Sequence, residues 1–188
     1  MGIGKVAASL GGVLLALWAA TTFGQVNPVL VPGPALVWAA AVELWQDGTM
    51  GADLRVSLGR AGIGFGIGAS LGVLVGLLTA RTRLVGAAVT PVLTLLRPIP
   101  AIALVPLAIV WFGIGEGSKW FVIAYTVFLA VWLNTHHGAS HVPGAFIRAS
   151  RCLGAGGVRE FFEVVLPAAA PHITAGLRMG AALAFLSL

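Results

Sequence analysis

The sequence predicts an all-α polytopic membrane protein of about five membrane helices, arranged as one domain over residues 1–188. Three observations carry that expectation. Hydrophobic residues make up 59% of the 188 positions and charged residues only 9%, where a soluble domain carries about 25%. So few charges cannot cover a globular surface, which leaves the bilayer as the solvent. Apolar runs long enough to cross hydrocarbon recur along the chain, separated by short polar stretches. The basic residues are dispersed at the ends of those runs, so the net charge of +5 reads as positive-inside loops and not as a nucleic-acid footprint. The single cysteine, Cys152, allows no internal disulfide and reads as a small apolar filler.

Taken in order, residues 6–23 form an apolar stretch behind Lys5, expected as an uncleaved first membrane helix with a cytoplasmic N-terminus. Asn27 to Pro34 holds three prolines and a glycine and is expected as an extended link. Ala35 to Gln46 is helix-like but interrupted by Glu43, with Trp38 and Trp45 suited to the membrane–water boundary. Residues 27–56 are therefore read as an outer interfacial segment, and the outer loop as reaching residue 60. The core is expected over 57–188. Ala61 to Ala80 is free of charge, long enough to span, and carries Gly68, Gly72 and Gly76 at four-residue spacing. That spacing puts three glycines on one helix face, where a neighbouring helix can approach closely.

Arg81 and Arg83 end this span and mark the inner side. Leu84 to Trp111 is the next membrane region, interrupted by Pro98, Pro100 and Pro106, each of which removes a backbone donor. A break at membrane depth is tolerated only against protein or a water-filled cavity. Arg97 beside it is therefore a candidate functional residue, or a side chain that snorkels to the inner interface or caps the carbonyls that the prolines free. Trp120 to Asn134 is the fourth span. His136, His137 and His141 follow it; His137 and His141 have helical spacing for a metal, but Gly138 and Pro143 are expected to break the helix and no carboxylate completes a site. A membrane-embedded metal enzyme built on these histidines is the alternative reading; no metal and no cofactor is expected. Ala168 to Leu188 is the fifth apolar run, with Arg178 inside it, read as facing a central cavity or pairing with a neighbouring helix.

Between the last two spans lies the most polar stretch of the C-terminal half, residues 146–167, FIRASRCLGAGGVREFFEVVLP. It reads as two short amphipathic helices split by a turn at Gly154 to Gly157 and closed by Pro167. Such a segment stays in water and presents a shaped surface to a partner. No G-x-x-x-x-G-K-[ST] occurs anywhere in the chain, so it carries no P-loop ATPase site of its own.

This stretch resembles the E-A-A-x3-G-x9-I-x-L-P loop of bacterial ABC importer permeases. Arg148, Ala149 and Ser150 stand at the E-A-A positions, Gly154 follows after three residues, and Val164, Leu166 and Pro167 close the pattern. Arg148 and Ser150 depart from it. Ser57 to Leu78, Leu95 to Phe121 and Leu133 to Gly138 are similar to the permeases of the sulfonate, taurine and nitrate branch. The resemblance implies a MetI-like fold in a bacterial inner membrane and two permease copies. It also implies a pair of cytoplasmic ABC ATPase subunits and an external solute-binding protein that delivers a small anionic solute. It further implies that the loop docks on the ATPase through Phe146, Ile147, Leu153, Phe161 and Phe162, with Gly154 sparing a clash. The translocation path is then expected near Arg97, Pro98, Pro100 and Pro106, with Arg178. Members of the family continue for one more membrane helix past the point matching Leu188, so a non-transporting remnant is a second alternative.

Overall fold

The computed structural model describes residues 9, 11–13, 15, 16, 18–21 and 31–188. The expected link at 27–30 and much of the expected helix at 6–23 lie outside the described residues; those described between 9 and 21 are helical. The backbone is helical nearly throughout, with no strand among the described residues. Two compact units emerge, Met1–Arg55 and Val56–Leu188.

The first unit contains α1 (Pro34–Gln46). Pro34 sits in its first turn, where a missing N–H costs nothing, and Gly48 at φ 72 follows its end. All of its large apolar residues are exposed, Trp38 at 72% and Trp45 at 73%. Helix α2 (Thr49–Arg81) then runs for 33 residues. This corrects the expected loop up to residue 60. Asp53, Arg55 and Arg60 end the apolar window, but Thr49–Arg60 holds no proline, and its helix formers outweigh Gly51 and Gly59, so the helix continues beyond the apolar run.

In the second unit, α2 is followed by α3 (Arg83–Leu96), a 3-10 turn (Ala101–Leu104), α4 (Val105–Phe112) and α5 (Glu116–Ser140). Next come α6 (Gly144–Cys152), α7 (Gly157–Glu160), a π turn (Phe161–Val165) and α8 (Leu166–Leu186). By length and apolarity, α2 is able to cross a membrane alone, and α3 with the 3-10 turn and α4 passes the same test as a pair bent by 96°. The bend lies at Pro98 and Pro100. Pro106 does not break the chain there: it occupies the first turn of α4 and starts that helix. Pro100 cannot donate to the Leu96 carbonyl, which accepts the Ile99 N–H at 3.1 Å and the Tyr125 hydroxyl at 2.8 Å. Tyr125, not Arg97, is the side chain that caps this carbonyl.

The core is a three-helix contact organised by glycine. Added Cβ atoms at Gly64, Gly68, Gly72 and Gly76 would lie within 2.8 Å of Ile123, Ala124, Val131 and Thr135 respectively. The pairing advances in the same direction on both chains, so α2 and α5 run parallel with their backbones nearly touching. On the other side of α5, Gly138 meets His172, Gly176 meets Asn134 and Gly180 meets Val127, which sets α8 antiparallel. Ala69, Ile123, Val127, Val131 and Ala184 fill the shared centre. The opposite face of α2 exposes Ile63, Ile67, Leu71, Leu74 and Leu78. One helix thus carries a glycine face for a backbone and an Ile/Leu face for lipid or another chain.

α5 also outruns its expected limits. Gly138 does not interrupt it, because the small residue is used for the close approach of His172. At its first turn Glu116 accepts two hydrogen bonds from the Arg60 guanidinium, one of them 2.7 Å from Nη2, and a third from Lys119 at 3.0 Å. The Arg60 and Lys119 bonds hold its carboxyl down at about 2.

Candidate functional site

The residues of the charged loop fold into a pair of short helices at the end of the bundle that holds Arg81. α6 ends in a Schellman motif: the Ala155 N–H bonds the Ser150 carbonyl and the Gly154 N–H bonds the Arg151 carbonyl, both at 3.0 Å. The motif needs a residue in the left-handed region, and Gly154 has φ 80. The expected reason for glycine is thereby corrected. A Cβ at Gly154 would meet nothing within 4 Å, so the dihedral and not a clash demands it.

Past the turn, α7 leads into the π turn, where the Leu166 N–H reaches back five residues to the Phe161 carbonyl. Pro167, next along, has no N–H for the Glu163 carbonyl, and the wider turn falls directly before it. Pro167 does not close the segment as expected. It lies in the first turn of α8, so the loop runs without a break into a bundle helix. This continuity is mechanically important: displacement of the π turn is displacement of α8.

Phe146, Ala149, Ser150, Leu153, Glu163, Val164 and Ala168 line an open groove of about 460 Å³ between the two halves of the loop. Five of the residues singled out in the sequence, Phe146, Ala149, Ser150, Leu153 and Val164, are brought together there. Ile147 and Leu166 are half-buried; Arg148 and Pro167 are exposed. Leu153 at 85%, Val158 at 76%, Phe162 at 60% and Phe146 at 56% exposure leave an apolar surface on a charged segment. Phe161 departs from the expected docking set. It packs inward on the cluster of Ala139, Val165 and Ala169 with Leu77 and Ile173, and so fixes the loop to the bundle. Cys152 is exposed and is not core filler.

Glu160 is the residue that sequence reasoning missed. Its side chain is 5% exposed, and it receives Arg151 Nε at 2.7 Å and Arg81 Nη2 at 3.0 Å. The hydrogen bond from Arg151, then the charges of Arg151 and Arg81, pull its carboxyl below the usual range against the opposing effect of burial. The available signal was periodicity. Glu160 shares a helical face with Phe161, Val164 and Val165, the apolar face of the segment. By contrast, Arg159 and Glu163 form an exposed i, i+4 pair, worth about 0.3–0.5 kcal/mol at most.

The other candidates are scattered. Arg97 lines a cleft of about 230 Å³ with Ile99, Tyr125, Met179 and Leu183. Arg178, Pro98, Pro100 and Pro106 are exposed and outside that cleft. The three histidines do not converge. His136 Nδ1 lies 2.9 Å from the Thr79 hydroxyl, which also accepts the Trp132 indole N–H, while His141 stacks on His137 with centroids 4.1 Å apart. Among the described residues no three His, Cys, Asp or Glu are grouped to hold a metal ion.

Comparison with known proteins fits this architecture. Residues 68–188 match the family described as binding-protein-dependent transport system inner membrane component. An aliphatic sulfonates transport permease protein of Bacillus subtilis is 33% identical over 95% of this chain and 65% of its own length. The taurine transport system permease protein of Escherichia coli is 32% identical over 92% of this chain and 64% of its own. The nitrate import permease protein of Synechocystis is 31% identical over 94% and 66%. The chain thus spans slightly less than two thirds of the length of these relatives. A helical fold built on parallel α2 and α5, a glycine-turned loop between α5 and α8, and a family match over most of the chain lead to one conclusion. The chain belongs to the family of binding-protein-dependent transport system inner membrane components, the MetI-like permeases of ABC importers.

Proposed function

We propose that the chain is the membrane-spanning permease subunit of an ATP-driven importer. In this reading the N-terminus is cytoplasmic, the chain crosses the bilayer several times, and two copies pair through exposed apolar faces such as that of α2. A pair of ATPase subunits binds the loop at 146–167, and an external binding protein delivers the solute. The observation that supports it best is the loop itself: an apolar surface of Phe146, Leu153, Val158 and Phe162, exposed on a short helix whose end is fixed by Gly154. Exposed apolar side chains on a charged loop mark a partner surface. Because the loop continues into α8, ATP-driven closure of the partner pair would move bundle helices as rigid levers.

The solute is proposed to be a small anion of the sulfonate, taurine or nitrate type, after the names of the relatives. The path is proposed to run beside the bend at Pro98 and Pro100, where Arg97 adds positive potential to its cleft and Arg178 contributes from α8. The test is co-expression of the chain with an ABC ATPase subunit encoded beside it, followed by purification in mild detergent. A stable complex is expected, and Gly154→Val is expected to abolish it while leaving membrane insertion intact. A well-inserted wild-type chain that captures no ATPase subunit would sink the reading.

A further inference from the structure

The loop has two halves with different attachments. The second half, α7 and the π turn, is anchored by Phe161 and Val165 in the inner-end cluster and runs covalently into α8. The first half, α6, packs chiefly on α7 and the π turn, and its large apolar residues Phe146 and Leu153 face outward. Residues 141–143 join α6 to α5, but no backbone link runs from α6 to α2. One side chain makes that connection. The Glu160 carboxylate takes one arginine from α6, Arg151, and one from the inner end of α2, Arg81, and is itself nearly inaccessible to water. A carboxylate removed from water with two guanidinium partners is held to a narrow geometry; loss of one leaves its charge balanced by the other but unties one of the two helices.

We propose that Glu160 is a positioning residue that locks α6 to α2, so that the partner-binding helix and the glycine-faced span move as one body. This rests on the permease reading above. It adds to the covalent routes, through residues 141–143 into α5 and through the π turn into α8, a third one: the Arg151–Glu160–Arg81 relay into α2.

The test uses the full chain in complex with its ATPase subunit in lipid nanodiscs, with nitroxide labels read by pulsed electron resonance. A label on native Cys152 reports α6. In a Cys152→Ser background, a label at Leu74→Cys reports α2. In the wild type, ATP is expected to shift the separation between copies for both labels. In Glu160→Gln the Cys152 shift is expected to persist, and the Leu74→Cys shift to fall to less than half. Arg151→Gln removes a side chain that is 65% exposed, so it spares folding and should give the same split with the ATPase still bound. Full shifts at both positions in both variants would overturn the lock, as would loss of ATPase binding in Arg151→Gln. If the wild-type chain binds no ATPase, the permease reading fails instead, an outcome visible before any variant is made.

Discussion

Gly154 shows what one residue contributes through backbone geometry alone. Its surroundings are empty, yet a branched side chain at φ 80 costs about 1–2 kcal/mol. The cost is paid by unwinding the Schellman turn that aims α6. Gly154→Asn is therefore expected to retain most ATPase capture and Gly154→Val to lose it, measured as co-purified ATPase per permease. The glycine was legible from motif spacing, though its reason was not, since sequence does not distinguish a forbidden dihedral from a clash. Glu160 was passed over because a glutamate among three arginines reads as solvated, although its spacing aligns it with the apolar face of the segment. Only folding places Arg81, distant in sequence, against it. Glu116 gives a pH test. Its folded pKa of about 2 lies below the ordinary 4.5. The Arg60 and Lys119 pairings therefore stabilise fully above about pH 4.5, and that contribution is lost as pH falls toward 2. Thermal unfolding in detergent should drop over that window in the wild type and show a smaller drop in Glu116→Gln.

At the scale of elements, the helices were readable and their ends were not. The four-residue spacing of Gly68, Gly72 and Gly76 pointed to a close helix contact, and the structure places α5 against that face, with Gly64 as a fourth rung. The ends of α2 and α5 were misplaced because charges such as Asp53 and Glu116 mark where an apolar run stops, not where hydrogen bonding stops. The partner of the glycine face could not be read either, because pairing is a property of the fold. Glycines on two faces of α2 make a sharp contrast. Gly68→Val would drive a side chain into the Ala124 carbonyl and should cost about 1–3 kcal/mol. Gly66→Ala meets nothing within 4 Å and should be neutral or stabilising by about 0.5–1 kcal/mol. Midpoints of thermal unfolding in detergent separate the two.

For the whole molecule, the break at Pro98 and Pro100 and the loop at 146–167 are parts of one arrangement. The break between α3 and α4, with α5 and α8, lines the Arg97 cleft, while the loop packs at the Arg81 end of α2 and against α5 and α8. Arg97→Gln is expected to lower uptake of the transported anion by about tenfold or more, with the ATPase still bound, when taurine, an alkyl sulfonate and nitrate are compared side by side. Composition conveyed the membrane class and the loop spacing conveyed the family. The facing of Arg97 and Arg178 was hidden, because an arginine within a span has the same sequence signature whether it faces a cleft or not. The central claim is that the loop lies in the cytoplasm under an ATPase. Native Cys152, exposed on α6 and the only cysteine in the chain, tests it directly with a membrane-impermeant maleimide. The account predicts labelling in inside-out vesicles, none in right-side-out vesicles, and protection when the ATPase subunit is present. Labelling from the outside, or labelling that the ATPase leaves unchanged, would contradict it.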